Sequence, residues 1–159
     1  MILHQDTNTF RQLILLTGEH FHMCPFTLNV LDYRRTLVEK IVSLTRFSFA
    51  DTRSLASKIR HFYDIYYLMQ TDGCKEYVVS SDFKTNFLEL FGHDQQEFDS
   101  PNSWKDKTIA DSPLVTRFDE IWAALAPTYQ TEMTSLSFAT IPPSDDVSKV
   151  AKALFLQLA

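Results

Sequence analysis

Apolar side chains recur at helical spacing in the middle of the chain, and this periodicity constrains the fold more than any other feature of the sequence. Beyond Ser54, a suitable helix cap, the apolar positions follow one another at steps of four and three residues. They are Leu55, Ile59, Phe62, Tyr66 and Met69. These positions share one side of a helix, so we predict a helix that buries this side and ends near Asp72 and Gly73.

Other segments show helical patterns as well, and one shows the alternation of a strand. The helical patterns lie at residues 8–16, 33–46, 82–91, 113–125 and from 144 onward, and the strand pattern lies at 21–31. Three Gly and six Pro are few for an all-β chain, which needs frequent turns. The chain is therefore predicted to be mainly α, a helical bundle of about five or six helices with one short N-terminal strand.

The predicted strand has no second strand to pair with in this sequence. Because a single strand cannot form a sheet, we expect it to belong to a separate upstream module. Residues 1–31 are thus predicted to be a remnant helix and strand of that module, and residues 32–159 a C-terminal helical domain. Within this domain, residues 92–111 are predicted to form a polar loop anchored by Trp104.

Charge, cysteine content and hydropathy limit the partners and the location of the protein. The net charge of -5 argues against a surface devoted to nucleic acid, and no DNA partner is predicted. Cys24 and Cys74 are far apart without a C-x-x-C motif, so both are expected to be free thiols. The apolar run Leu13–Leu16 is too short for a signal peptide or a membrane span. We therefore expect a cytoplasmic protein with no membrane partner.

Two charged motifs lie on the predicted helices. Residues 60–68 have the sequence R-H-F-Y-D-I-Y-Y-L with Lys58 ahead of them, and residues 35–41 have the sequence R-T-L-V-E-K-I. On a helical wheel, Arg60 and Asp64 lie opposite the apolar stripe and point away from the core. From the residue pattern alone, the simplest interpretation is a solvated Arg60–Asp64 pair worth about 0.3–0.5 kcal/mol.

Both motifs resemble signatures of the AbiEii/AbiGii-type nucleotidyltransferase toxins, (K/R)-x-R-H-x-Y-D-x-Y-x-L and R-T-L-x-E-K-I. They occur in the order and at the distance found in the C-terminal half of that family, and the likeness covers about residues 20–155. The resemblance implies transfer of a nucleotide from an NTP to an acceptor such as tRNA, in a toxin–antitoxin or abortive-infection (phage-defence) system. It also implies Mg²⁺ as cofactor and a cognate antitoxin as partner.

The resemblance assigns roles by position. Lys40 would reach the nucleotide phosphates and Asp64 would complete the active site, so these two are the expected catalytic residues. Residues expected to bind substrate are Arg60, His61, Lys58, Tyr67 and Arg35. A lysine suits a triphosphate because it is a mobile point charge, and an aspartate can orient or deprotonate an attacking hydroxyl. The alternatives are that Lys40 is an ordinary solvated lysine and that Arg35 only pairs with Glu39.

The chain lacks the residues that would hold the family's metal. The first module of the family supplies a G-G-T or G-S loop and an S-x-D-x-D carboxylate pair, whereas here the glycines are isolated and no two aspartates stand two positions apart. Glu97 and Asp99 are the nearest substitute, and His20, His22 and Cys24 lack a fourth ligand, so no metal site is predicted. By itself the chain is expected to be inactive. The alternative is a non-catalytic helical binding module, or a truncated remnant, that binds an antitoxin or another partner chain.

Tyrosines and basic side chains alternate around the second motif. Tyr63, Tyr66 and Tyr67 lie beside Lys58 and Arg60, a combination that can stack on a nucleobase. Of the three tyrosines, Tyr66 belongs to the apolar stripe and is expected in the core. No serine or cysteine in the sequence has the flanking glycines of a nucleophile elbow, so nucleophilic catalysis is not predicted.

Overall fold

The structure is a computed structural model that describes residues 31–102, 104–136 and 140–159. Residues 1–30 contain the predicted first helix, almost all of the predicted strand, and the His20, His22 and Cys24 set, and they lie outside the described residues. The helical unit runs from Tyr33 to Ala159. No helix of the described part combines the length and the apolar character that crossing a bilayer requires.

Helices account for nearly all the regular structure of the described residues, which contain no strand. In chain order they are α1 (Tyr33–Ser48), α2 (Thr52–Ala56), α3 (Ile59–Leu68), α4 (Asp72–Val78), α5 (Ser81–Glu97), α6 (Pro113–Thr116), α7 (Phe118–Leu136) and α8 (Ser144–Leu158). A short 3₁₀ helix, Ile109–Asp111, precedes α6. The prediction of a mainly α fold is confirmed.

Side-chain caps explain where several helices begin. The Asp51 carboxylate accepts the backbone N–H of Ser54 at 2.7 Å at the start of α2. The hydroxyls of Thr71 and Ser80 play the same part for α4 and α5, each at 3.3 Å. Each cap satisfies a backbone donor that the first turn leaves without a partner. The predicted cap Ser54 is therefore a donor inside the first turn, and the true cap lies three residues earlier.

The predicted helix that starts at Ser54 is divided into α2 and α3. The backbone N–H of Lys58 donates to the Leu55 carbonyl at 2.9 Å, and that of His61 donates to the Lys58 carbonyl at 2.9 Å. Because these hydrogen bonds span three residues instead of four, the backbone is wound more tightly at the junction, while the apolar stripe continues across it. Leu55, Ile59 and Phe62 all remain buried. Residues 72 and 73, predicted to end the helix, instead begin α4.

Two other predicted boundaries move because the chain continues as a helix through Gly92 and Pro127. Gly92 was expected to end a helix, but its φ is not positive and α5 continues to Glu97. The polar loop therefore starts at Phe98, later than predicted. Pro127 lies inside α7, whereas the predicted helix of residues 113–125 is interrupted at Arg117, between α6 and α7. These divisions and α4 raise the number of described α-helices above the five or six expected.

Trp104 anchors the loop after α5 as predicted. Its side chain is fully buried, and its Nε1–H donates to the Phe98 carbonyl at 3.0 Å. The amide of Gln95 fixes the same loop by donating to the carbonyls of Trp104 and Lys107. Because the ring buries a large apolar area while its polar atom keeps a partner, the loop is tied to the core.

The central helix is α3, which packs against α1, α7 and α8. Its buried face consists of Ile59, Phe62 and Ile65, and the Phe62 ring meets the Trp122 ring of α7 edge to face at 5.2 Å. Tyr66, expected in the core, is half-buried and packs against it. The opposite, polar face of α3 is left beside α1, where the charged motifs come together.

Candidate functional site

An open depression lies between α1 and α3, and we call it the α1–α3 depression. Its volume is about 530 Å³, which falls in the range of small-molecule sites. The lining residues include Thr36, Lys40, Tyr63, Asp64, Tyr67 and Leu68, with Thr71 at the end of α3. Two helices therefore bring the R-T-L-V-E-K-I and R-H-F-Y-D motifs to one surface.

Lys40 and Asp64 form an ion pair across this depression. The Lys40 Nζ lies 2.7 Å from the Asp64 Oδ2, with 20% of the lysine side chain and 38% of the aspartate side chain exposed. The surface Arg60–Asp64 pair suggested by the residue pattern does not form among the described residues, because Asp64 turns to Lys40 on a different helix. Lys40 is therefore not an ordinary solvated lysine. Both groups remain accessible to a ligand.

His61 lies half-buried beside this ion pair. Burial, together with repulsion from the Lys40 ammonium, lowers the pKa of His61 from 6.5 to about 4, and the attraction of Asp64 only partly offsets this. The imidazole is consequently neutral at physiological pH. Its Nδ1 is buried and has no hydrogen-bond partner among the described residues. His61 is not among the residues that line the depression, and in its neutral form it adds no positive charge beside the ion pair.

Tyr67 stands at the rim of the depression with 43% of its surface exposed. Its ring lies 4.8 Å from the Tyr63 ring and 5.5 Å from the Tyr66 ring. The neighbouring Tyr63 side chain raises the pKa of Tyr67 above its usual value. The rim tyrosine is thus held from two sides.

The remaining predicted substrate-binding residues are not among those that line the depression. Arg35 bonds Glu39 on the same helix, with the Nε 2.9 Å from the Oε1, as the alternative interpretation expected. The Lys58 Nζ lies 4.6 Å from the centre of the Phe47 ring, and Arg60 is exposed on α3. Their roles in substrate binding stay predictions.

Thr36 and Thr71 line the depression although the sequence did not single them out. Thr36 stands one helical turn before Lys40 on α1, so a helical wheel drawn around Lys40 would have placed it on the same face. Thr71 lies beyond α3, and its position depends on its capping of α4. Sequence spacing could therefore have identified Thr36, which lies in the R-T-L-V-E-K-I motif, but not Thr71.

The described residues do not by themselves fit a divalent metal. They contain no group of three or more His, Cys, Asp or Glu side chains close enough to hold an ion. In the depression, Asp64 is the one carboxylate among the lining residues, and Lys40 neutralises it. Asp99, half of the nearest substitute pair, forms an ion pair with Lys105 in the loop after α5. Magnesium needs several oxygen ligands, which this surface does not provide.

Fold and site together define a mainly helical domain with a small-molecule-sized depression where a lysine and a carboxylate meet. The chain belongs to the AbiEii nucleotidyltransferase toxin family of type IV toxin–antitoxin systems, because the model of that family matches residues 4–151. Comparison with curated proteins and with solved structures finds no match. The family resemblance recognised from the two motifs is confirmed.

Proposed function

We propose that this chain forms the helical part of the active site of a nucleotidyltransferase toxin, which transfers a nucleotide from an NTP to an acceptor such as tRNA. The observation that supports this most directly is the Lys40–Asp64 ion pair at an open depression. If the core side chains of this domain had covered Asp64, it could not reach a substrate. Instead, more than a third of the Asp64 side chain is exposed.

Each partner of the ion pair has a distinct task in this proposal. The Lys40 ammonium attracts the triphosphate of the NTP, since a flexible lysine can follow phosphate oxygens as a point charge. Once phosphate oxygens replace Asp64 as the partners of Lys40, the carboxylate is free to accept a hydrogen bond from the attacking hydroxyl and to orient it. Neutral His61 flanks both groups without adding charge.

The metal ligands are proposed to come from a separate nucleotidyltransferase-fold module to which residues 1–31 belong. The 159 residues contain no D-x-D pair and no glycine-rich phosphate loop, so these parts cannot be built from this sequence. In the complete protein, Mg²⁺ would bind mainly to that module. A cognate antitoxin is the proposed protein partner, and the cytoplasm the proposed location.

The test is a transfer assay with the protein completed by the sequence encoded upstream. Total RNA is incubated with each radioactive NTP, and labelling is compared among the wild type, Lys40→Ala and Asp64→Asn. We expect each substitution to reduce labelling by about 100-fold or more, the usual effect of losing a positioned acid–base or charged group. The NTP that labels RNA most strongly identifies the preferred substrate.

The chain offers a matched control for these variants. Lys152 and Asp119 form another lysine–aspartate ion pair between two helices, at 2.6 Å, outside the residues that line the depression. Lys152→Ala and Asp119→Asn remove the same types of charge, so general effects on folding should be comparable. We expect both controls to keep wild-type labelling. Equal labelling by Lys40→Ala, Asp64→Asn and their controls would contradict the proposal.

The second candidate is a non-catalytic helical module or truncated remnant that binds an antitoxin or another chain. The absence of a carboxylate pair from the sequence favours it. The upstream coding sequence separates the two candidates. A G-G-T loop and an S-x-D-x-D pair there support the enzyme, whereas a stop codon followed by unrelated sequence supports the binding module.

A further inference from the structure

Tyr67 is accessible to a ligand and at the same time in contact with two neighbouring rings. Of its surface 43% is exposed, and the rings of Tyr63 and Tyr66 lie against it at 4.8 Å and 5.5 Å. An exposed tyrosine normally retains rotamer freedom, which it must give up when it binds a ligand. Here the contacts with Tyr63 and Tyr66 have already restricted that freedom, so the ring is preorganised for contact with a flat partner.

We infer that Tyr67 is the platform on which the nucleobase of the incoming NTP stacks. This inference rests on the proposed function, because it assigns the two ends of one ligand to the two ends of the α1–α3 depression. The triphosphate end meets Lys40 and the base end meets Tyr67. Stacking accepts any base, since each has a π-face.

The ring of Tyr67 is the surface that this residue offers to a ligand, since it lies at the rim of the depression and is 43% exposed. The hydroxyl of Thr71, at the same end of the depression, donates to the Leu68 carbonyl at 2.7 Å and accepts the Cys74 N–H at 3.3 Å. With the Thr71 hydroxyl occupied in this way, the base end presents mainly carbon atoms.

The spacing along α3 supports one ligand spanning both ends. Tyr67 follows Asp64 by three residues, so the two side chains are neighbours on the same face of the helix. Asp64 in turn contacts Lys40 at 2.7 Å. A ligand whose phosphates displace Asp64 from Lys40 can therefore place its base over Tyr67 without leaving the depression. An NTP has this combination of a charged tail and a flat ring.

The experiment titrates two probes into the full 159-residue chain, ATP and inorganic tripolyphosphate, which has charge but no base. Binding is followed by NMR of tyrosine ring carbons and by calorimetry, for the wild type, Lys40→Ala, Tyr67→Phe and Tyr67→Leu. We expect Tyr67→Leu to lower the affinity for ATP about 5- to 150-fold and to leave the affinity for tripolyphosphate unchanged. Tyr67→Phe, which keeps the ring, should bind ATP within about twofold of the wild type.

A second aromatic residue of similar exposure controls for general effects. Phe98 is 45% exposed and packs on the guanidinium of Arg46, outside the residues that line the depression. Phe98→Leu should bind both probes as the wild type does. Circular dichroism of each variant checks that the helices remain folded.

The outcomes separate failure of this inference from failure of the proposed function. If Lys40→Ala lowers the affinity for both probes but Tyr67→Leu changes neither affinity, Tyr67 is not the base platform, and Lys40 still binds phosphate. If Tyr67→Leu lowers the affinity for tripolyphosphate as much as the affinity for ATP, the substitution acts through the structure of the domain and the inference is overturned. If Tyr67→Leu lowers the affinity for a short oligonucleotide, titrated as a third probe, but not the affinity for ATP, the inference is overturned and Tyr67 contacts the acceptor instead. If neither ATP nor tripolyphosphate binds the chain at several millimolar, the inference is overturned, and the proposed function is then decided by the transfer assay on the completed protein.

Discussion

Acidification should destabilise this domain through His61, and a single substitution isolates the effect. The folded protein holds the pKa of His61 at about 4, whereas in the unfolded chain it returns to its ordinary value of 6.5. Between these values the unfolded state binds a proton that the folded state does not. The stabilisation is therefore complete above pH 6.5 and is lost as the pH falls towards 4.

The size of the effect follows from the pKa difference and from the exposure of the imidazole. A lowering from 6.5 to about 4 corresponds to an upper limit of about 3.4 kcal/mol, at 1.36 kcal/mol per pKa unit. Because His61 is only half-buried, solvent screens part of this energy, and we expect about 1–2 kcal/mol. That is a measurable fraction of the stability of a domain of this size.

Urea denaturation followed by circular dichroism from pH 7.5 to pH 4 gives the free energy of unfolding at each pH. The variant His61→Gln cannot titrate, so its stability should fall by about 1–2 kcal/mol less than that of the wild type over this range. Carboxylates remote from His61 contribute equally to both proteins and cancel in the difference. His93→Gln makes the same change of side chain at an exposed histidine on α5 and is the matched control. Parallel pH profiles for the wild type and His61→Gln, or an NMR-measured pKa of His61 near 6.5, would refute the reasoning.

Two further predictions concern the stability of the scaffold. Gly92→Ala should raise the free energy of unfolding by about 0.5–1 kcal/mol, because Gly92 lies inside a helix and an added Cβ would meet no atom of the described residues within 4 Å. Gly73→Ala is its control and should show no such gain, since there the added Cβ would collide with the Tyr33 hydroxyl. Tyr129→Phe should cost about 1–3 kcal/mol, because the buried Pro142 carbonyl would lose the hydroxyl that donates to it at 3.0 Å. Urea denaturation at neutral pH measures all three, and a destabilised Gly92→Ala or an unchanged Tyr129→Phe would contradict the assignments.

Local pattern was sufficient where a helix has one apolar face and clear ends. Helix α1 was predicted from Tyr33 to Arg46 and runs from Tyr33 to Ser48. The last helix begins at Ser144 as predicted. In both, the buried residues recur at helical spacing, such as Leu37, Ile41 and Leu44 in α1, because amphipathic spacing decides which face leaves water.

Local pattern failed where signals conflict. Glycine commonly ends a helix by adopting a positive φ just after the last turn. Gly92 does not adopt a positive φ, and the helix continues through it. One helix was predicted from Ser54 onward, but the structure has two, α2 and α3. The apolar spacing from Leu55 to Met69 could not reveal their junction, because a single tighter turn leaves that spacing unchanged. The cap Asp51, three residues before the predicted Ser54, was missed because a serine is also a suitable cap and Ser54 directly precedes the first apolar position.

The sequence by itself determined the mainly α class, the family and the identity of the two charged motifs, because helical periodicity and residue order are local properties of a chain. Tertiary structure alone decided the partner of Asp64. On sequence spacing, Arg60 was the nearest cation, but the packing of α1 on α3 brings Lys40 to 2.7 Å from the carboxylate. The same packing leaves His61 half-buried and lowers its pKa to about 4. Charge pairing between helices and burial depend on how elements pack together, which no local pattern records.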